Sequence, residues 1–237
     1  MIESLGEKGL RIFTFCLTLA MLTPLSIHSQ EETKSLSVYF AGALFNSKDL
    51  LGNQVLAEAI EKASMGRYEC RLPQDIEVRV LTAQNIRDTD LKEVLAADLA
   101  IFNYDGTELD SGTVVEYLFA KFADIPAVIL RTDFRKGGDQ EENPWNLMSS
   151  FFPRTEVVLI DSMALYKQDP SNMIPEIARQ VVVAMDEVVT KTALMPAEIS
   201  EAIYRWLTIM PGFKEESSEI VAAILEARSR KLEKKLL

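Results

Sequence analysis

The sequence predicts an α/β fold, in which helices cover both faces of a parallel sheet of five strands, followed by a helical extension. Short apolar runs that favour strands alternate with amphipathic runs that favour helices as far as about residue 160. Glycine, proline or polar turn residues follow several of the apolar runs. Beyond Asp161 only helical periodicities remain. Strands that alternate with helices at this spacing are typical of a doubly wound parallel sheet.

Five segments carry the strand patterns. The first alternates apolar and small or polar residues before the permissive turn at Gly42, and the second stops at Pro73. The other three are short apolar runs of the kind that is buried on both faces of a sheet. The predicted strands are 35–41, 68–72, 99–102, 127–130 and 155–160.

Apolar residues at helical spacing predict the connecting helices. The second of these begins at Asp88 or Asp90, and the third opens at Asp110, which places Glu116 in its first turn. The stretch from residue 76 to 81 fits either a strand or a loop. The remaining predicted helices are 53–64, 173–189, 196–209 and 215–236.

Composition excludes several classes of function. The net charge of the 237 residues is −11, which disfavours binding to nucleic-acid phosphates. The two cysteines, Cys16 and Cys70, have no metal-type spacing, and His28 is the single histidine. The sequence therefore strongly disfavours zinc hydrolysis and Ser/His/Asp catalysis, and no metal or cofactor is expected. Proton transfer falls to carboxylates, tyrosine or a perturbed lysine.

The amino-terminal segment has the order of a secretory signal. Lys8 and Arg11 precede an apolar run over 12–22, and a polar stretch follows in the place of a processing site, so residues 1–29 resemble a leader. The run is too short for a stable membrane span. Translation from Met21 is the alternative, in which the leader is an artefact. We predict three parts: a leader and linker at 1–34, an α/β domain at 35–165 and a helical extension at 166–237.

Polar and aromatic side chains follow several predicted strands. Carboxyl ends of parallel strands share one edge of a sheet, and ligands collect there. Carboxylates gathered in one crevice raise one another's pKa, so one is protonated while another stays anionic, as cleavage of a glycosidic bond requires. Each residue also has a structural interpretation as a helix cap, a core aromatic or a turn residue. The set comprises Tyr39, Phe45, Gln74, Asp75, Asp90, Asp110 and Glu116.

Five motifs follow one another over roughly residues 36–160: Val38–Phe45, Leu72–Asp75, Asp90 with Asp98, Asp110 with Glu116, and Asn146–Ser149. In this order they resemble the nucleoside 2-deoxyribosyltransferase family. The sequence departs from the family at Ala43, where proline is frequent, and at Leu118, where glycine is usual. The resemblance implies a flavodoxin-like or Rossmann-like sheet.

The resemblance also implies roles for individual residues. Glu116 is then the nucleophile that forms a 2-deoxyribosyl ester, Tyr39 positions it, and Asp90 protonates the leaving base. Substrate binding is implied for five residues: Asp110 at the deoxyribose hydroxyls, Phe45 and Gln74 at the base, and Asn146 with Met148 at the 5′ end of the sugar in a neighbouring subunit. The implied partners are a deoxynucleoside, a free nucleobase and further copies of the chain in a homo-oligomer.

Two other functions stay open. A related N-glycosidase hydrolyses 2′-deoxynucleosides or their 5′-monophosphates, with water in place of the acceptor base. A non-catalytic module binds nucleosides in the same crevice. Localisation is also open, because the leader indicates export while nucleotide salvage is expected in the cytoplasm.

Overall fold

The computed structural model describes residues 35–76, 81–139, 142–213 and 218–237. Its centre is a sheet of five parallel strands, which confirms the predicted doubly wound α/β class. The spatial order is β2-β1-β3-β4-β5, the flavodoxin-like order. The strands are β1 Leu36–Ala41, β2 Tyr68–Arg71, β3 Leu99–Asn103, β4 Ala127–Arg131 and β5 Thr155–Leu159.

Seven α-helices lie in the described part of the chain, and those after β5 confirm the helical extension. The predicted helix at 173–189 has the same bounds in the structure. The last predicted helix, 215–236, is described over Ser218–Glu233, and its residues 215–217 lie outside the described part of the chain. The helices are α1 Ser47–Ala63, α2 Ala83–Ala96, α3 Ser111–Phe122, α4 Ser162–Gln168, α5 Met173–Val189, α6 Ala197–Ile209 and α7 Ser218–Glu233.

The sheet separates two hydrophobic cores because alternate side chains of a strand point to opposite faces. Val38 and Phe40 of β1 face the core that α1 and α5 cover. Tyr39 and Ala41 face the core that α2 and α3 cover, to which α6 and α7 also contribute. Burial on both faces explains why β1, β3 and β4 are almost wholly apolar.

Side-chain caps fix where three connecting helices begin. Asn46 accepts hydrogen bonds from the first turn of α1, so this helix begins six residues before the predicted Asn53. The oxygen of Thr82 accepts from Asn85 N, so α2 begins at Ala83 and not at Asp88 or Asp90. The predicted start of α2 was therefore wrong, and Asp90 lies in the third turn instead of at a cap. Asp110 caps α3, as the structural interpretation expects.

The connection from β4 to β5 contains no α-helix in its described residues. Trp145 is buried here and packs edge-on against Tyr104, with 5.4 Å between the ring centroids. A single 3-10 turn, Leu147–Ser149, follows it. This segment carries Asn146 and Met148 to the edge of α3.

The predicted leader, with Cys16 and His28, lies outside the described residues, as do residues 77–80 of the stretch that fitted either a strand or a loop. Among the described helices, none combines the length and the apolar character needed to cross a bilayer. The division of the chain at residue 165 stays a prediction.

Candidate active site

A hydrogen bond between β1 and α3 forms the centre of the site. The Tyr39 hydroxyl donates to Glu116 Oε1 at 2.7 Å, although the residues are 77 positions apart in the chain. Tyr39 is fully buried in the core that α2 and α3 cover, so packing fixes the orientation of its ring. This pair lies beside the β1–β3 junction, the switch point of this strand order, where crevices form in doubly wound sheets.

Glu116 is the sixth residue of α3 and therefore lies in its second turn. The expectation of a first-turn position was wrong, because the helix begins at Ser111, directly after the Asp110 cap. The helix dipole acts mainly within the first turn. Local interactions with the side chain of Glu116 therefore decide its ionisation.

Burial and neighbouring acids raise the pKa of Glu116 to about 8. Loss of solvation is the largest cause, the charges of Asp90 and Asp110 add to it, and the Tyr39 hydrogen bond opposes it. Asp90 reaches the site from α2, and burial followed by the charge of Glu93 raises its pKa to about 6. Between these values the two carboxyls hold one proton, and in the free protein that proton lies on Glu116.

Tyr39 stays protonated throughout this range. Burial and the charge of Glu116 raise the pKa of the phenol well above its ordinary value. The hydroxyl is therefore a permanent donor, and its hydrogen bond favours the ionised form of Glu116. The arrangement supplies one positioned carboxyl and one nearby carboxyl that differs from it in proton affinity.

A cavity of about 780 Å³ opens between α2 and α3 beside the two carboxyls. We call it the Glu116 pocket. Apart from Asp90, Glu116, Arg87 and Ser111, its lining consists of apolar residues and one glycine. The lining residues are Ala83, Ile86, Arg87, Asp90, Leu91, Ser111, Gly112, Val115, Glu116, Phe119, Met210 and Pro211.

Asp110 belongs to the neighbouring Asp110 cleft, a cavity of about 1040 Å³ at the carboxyl ends of the strands. One of its oxygens accepts from Thr113 N at 2.7 Å and from Thr113 Oγ1 at 2.8 Å. These bonds hold the carboxyl close enough to Glu116 to raise its pKa. Asp110 therefore caps α3 and also contributes charge to the site. Lys48, Asn53, Asn103, Asp105 and Thr132 also line this cleft.

Asn146 and Met148 line a third cavity of about 660 Å³, the Asn146 groove. Ser111 and Val115 of α3 line both this groove and the Glu116 pocket, so the two cavities adjoin each other along this helix. The side chain of Asn146 accepts from Met148 N at 2.9 Å, and Met148 is 75% exposed. Leu118 lines this groove and not the Glu116 pocket, so the departure from the family pattern narrows the groove.

Phe45 and Gln74 do not line the Glu116 pocket. Phe45 is 78% exposed just before the cap of α1. Gln74 lies in a 3-10 turn after β2, and its amide nitrogen donates to Leu50 O of α1 at 2.9 Å. The structure therefore brings Tyr39, Asp90, Asp110 and Glu116 together, places Asn146 and Met148 at an adjoining groove, and leaves Phe45 and Gln74 near α1.

Sequence reasoning missed several residues of the site. Glu93 and Arg87 lie one turn on either side of Asp90, and the cap at Thr82 is the signal that would have placed them on the same helix. Met210 and Pro211 carry no such signal, because only the packing of the carboxyl-terminal helices brings them here. Within the described residues, no group of three or more His, Cys, Asp or Glu side chains could hold a metal ion.

Residues 38–148 match the model of a family described as nucleoside 2-deoxyribosyltransferase, which confirms the resemblance over this part of the chain. No curated protein matches the chain.

Several solved structures are similar to parts of the chain. A conserved protein from Enterococcus faecalis V583 is 27% identical, with a TM-score of 0.46, and the match covers 58% of this chain and 99% of that one. The 2-desoxiribosyltransferase from Leishmania mexicana is 21% identical, with a TM-score of 0.42 and coverage of 56% and 98%. A 2-deoxyribosyltransferase from Bacillus psychrosaccharolyticus is 19% identical, with a TM-score of 0.37 and coverage of 48% and 79%.

Proposed function

We propose, from the premise that residues 38–148 belong to the nucleoside 2-deoxyribosyltransferase family, that this chain transfers 2-deoxyribose between the bases of deoxynucleosides through an ester on Glu116. The observation that carries the proposal is the 2.7 Å hydrogen bond from Tyr39 to Glu116, in a pocket that also holds Asp90. A carboxylate that is positioned and partly desolvated is suited to attack at an anomeric carbon.

The first half-reaction exchanges one bond for another. The Glu116 carboxylate forms a bond to C1′ of the sugar as the bond from C1′ to the base nitrogen breaks. The base leaves with the electron pair and takes a proton from Asp90. The second half-reaction runs in reverse with a different base, and two displacements retain the configuration at C1′.

The reactive form requires Asp90 protonated and Glu116 ionised, which is the minor arrangement of the free site. The pKa of Glu116 lies above that of Asp90, so the proton that the two carboxyls share favours Glu116 in the free protein. Positive charge that develops at C1′ favours the ionised nucleophile, so progress toward the transition state moves this balance in the required direction.

Substrate binding extends beyond the Glu116 pocket in this proposal. Asp110 holds the deoxyribose hydroxyls, and Phe45 and Gln74, which lie outside the Glu116 pocket, face the part of the base that extends beyond it. Asn146 and Met148 contact the 5′ end of the sugar in a neighbouring subunit of a homo-oligomer. This proposed contact is supported by two observations: Asn146 and Met148 both line a groove at the surface, and Met148 is largely exposed.

Deoxyinosine with and without free adenine tests the proposed reaction. We expect deoxyadenosine and hypoxanthine when adenine is present, and neither product from Glu116→Gln. Glu58→Gln is the matched control, because Glu58 is exposed on α1, away from the site. Hypoxanthine alone under both conditions would identify the N-glycosidase, and retained base binding without turnover would identify the binding module.

A slow 2-fluoro-deoxynucleoside tests the intermediate directly. Brief incubation should add the mass of the sugar to the peptide that contains Glu116, as measured by mass spectrometry. No adduct in wild type during active exchange would contradict the covalent route.

A further inference from the structure

The wall of the Glu116 pocket is completed by two residues that lie far beyond the family match. The match ends at residue 148, whereas Met210 and Pro211 follow α6. They line the pocket together with Ile86, Val115 and Phe119, which come from α2 and α3. The carboxyl-terminal helices of this chain therefore contribute directly to the cavity beside Glu116.

We propose that the turn Met210–Pro211 is a specificity-determining wall, which keeps water from the glycosyl ester on Glu116 and directs the sugar to an acceptor base. This inference rests on the proposed function. The hydrocarbon and thioether surface of Met210 fits the face of a planar heterocycle, and it offers water no strong hydrogen-bond partner.

Buried polar contacts hold the helices of this wall against both helices of the site. Tyr204 of α6 is fully buried, and its hydroxyl donates to Ala123 O at the end of α3, at 3.0 Å. Lys231 of α7 is 1% exposed and donates both to Leu95 O near the end of α2 and to the Tyr204 hydroxyl. Since α2 carries Asp90 and α3 carries Glu116, the helices that position the wall are bonded to the same two helices that carry the carboxyls.

The turn itself is held on both sides. Leu207, in the last turn of α6, is 2% exposed within the core that α2 and α3 share. Phe213, two residues after Pro211, packs against the same core. Gly212 takes the left-handed backbone conformation, with φ of 65°, that lets the chain turn between them. The position of Met210 is therefore set by packing, although its side chain is 45% exposed.

Whether the ester on Glu116 undergoes transfer or hydrolysis depends on whether a base or a water molecule reaches its anomeric carbon. Transfer breaks the bond from C1′ to Glu116 and forms one to a base nitrogen, and the proton of the base passes to Asp90. Hydrolysis breaks the same bond, forms one to a water oxygen, and passes a proton of that water to Asp90. Asp90 serves both routes, so the relative occupancy of the pocket by base and by water decides between them.

Met210→Ala, compared with Ile209→Ala, tests the wall. Ile209 is 67% exposed and does not line the pocket. Ile209→Ala therefore removes an apolar side chain from the neighbouring position and leaves the wall of the pocket intact. With deoxyinosine and varied adenine, we expect Met210→Ala to raise the ratio of hydrolysis to transfer roughly fivefold, since the lost contact is half exposed. The KM for adenine rises in the same variant, and Met210→Leu, which restores the volume, retains the wild-type ratio.

Binding supplies a readout that needs no turnover. Calorimetric titration with adenine should show weaker binding to Met210→Ala than to Ile209→Ala, by a similar factor. If Met210→Ala has the same ratio of hydrolysis to transfer and the same affinity for adenine as Ile209→Ala, the proposed role of Met210 is wrong. Absence of transfer in wild type would instead contradict the proposed function, while the adenine titration would still decide whether Met210 contacts the base.

Discussion

Tyr39→Phe isolates the hydrogen bond at the centre of the site, since it removes one oxygen and leaves the buried ring. That bond lowers the pKa of Glu116, so its loss raises this pKa above its present value of about 8. A hydrogen bond to a charged group contributes about 1.5–3 kcal/mol, and one pKa unit corresponds to about 1.4 kcal/mol. We therefore expect the pKa of Glu116 to rise by about one to two units.

The expected signature is a changed pH profile of kcat/KM. The active form has one proton, on Asp90, and is lost when Glu116 protonates as well or when both carboxyls are ionised. In this active form the carboxyl with the lower pKa, Asp90, is protonated and the one with the higher pKa, Glu116, is ionised. The basic limb of the bell-shaped pH profile therefore reports the higher pKa, which is that of Glu116. Tyr39→Phe should move that limb upward by about one to two units and lower the plateau roughly 10- to 100-fold, because the active form becomes rarer.

Tyr117→Phe is the matched control. Tyr117 is the residue next to Glu116, is fully buried, and lies 3.2 Å from Thr155 Oγ1 through its hydroxyl. The same chemical change there should leave both limbs of the profile in place. A basic limb in Tyr39→Phe that stays where it is, or that moves to lower pH, would refute the reasoning.

Three further outcomes follow from the geometry. Glu116→Gln should change the pH dependence of stability, because the raised pKa of Glu116 stabilises the fold below about pH 4.5 and this contribution is lost as pH rises toward about 8. In urea unfolding, the stability of wild type should therefore fall relative to that of the variant across this window, by about 1.4 kcal/mol per pH unit. Asp90→Asn should slow cleavage of deoxyinosine far more than cleavage of a deoxyriboside with an acidic phenol as leaving group, since the phenol departs without protonation; equal losses in steady-state assays would remove Asp90 from the role of acid. Gly138→Ala should raise the KM for deoxynucleoside, because an added Cβ would lie 2.3 Å from the Trp145 backbone and displace the segment that carries Asn146; an unchanged KM would separate that segment from substrate binding.

Part of the site was predictable because its signals are local in the chain. Tyr39 and Glu116 follow from a strand pattern and a helix start, and parallel topology brings the ends of different strands to one edge. Asp90 was placed at the correct edge although its helix start was wrong, since the true cap at Thr82 lies before a weakly apolar first turn. The first-turn placement of Glu116 was wrong although the predicted start at Asp110 was right, because a turn holds 3.6 residues and Glu116 is the sixth residue of the helix.

The sequence by itself determined the doubly wound sheet, the helices that follow it and the acids that lie near its carboxyl edge. These features depend on periodicity and on turn residues within a few positions of one another. Only the tertiary structure decided the proton affinities of Glu116 and Asp90, because desolvation is a property of the whole enclosure and not of the neighbours in sequence. Only the packing of α6 and α7 on α2 and α3 brought Met210 to the same pocket, since contacts between distant segments leave no periodic trace in the chain.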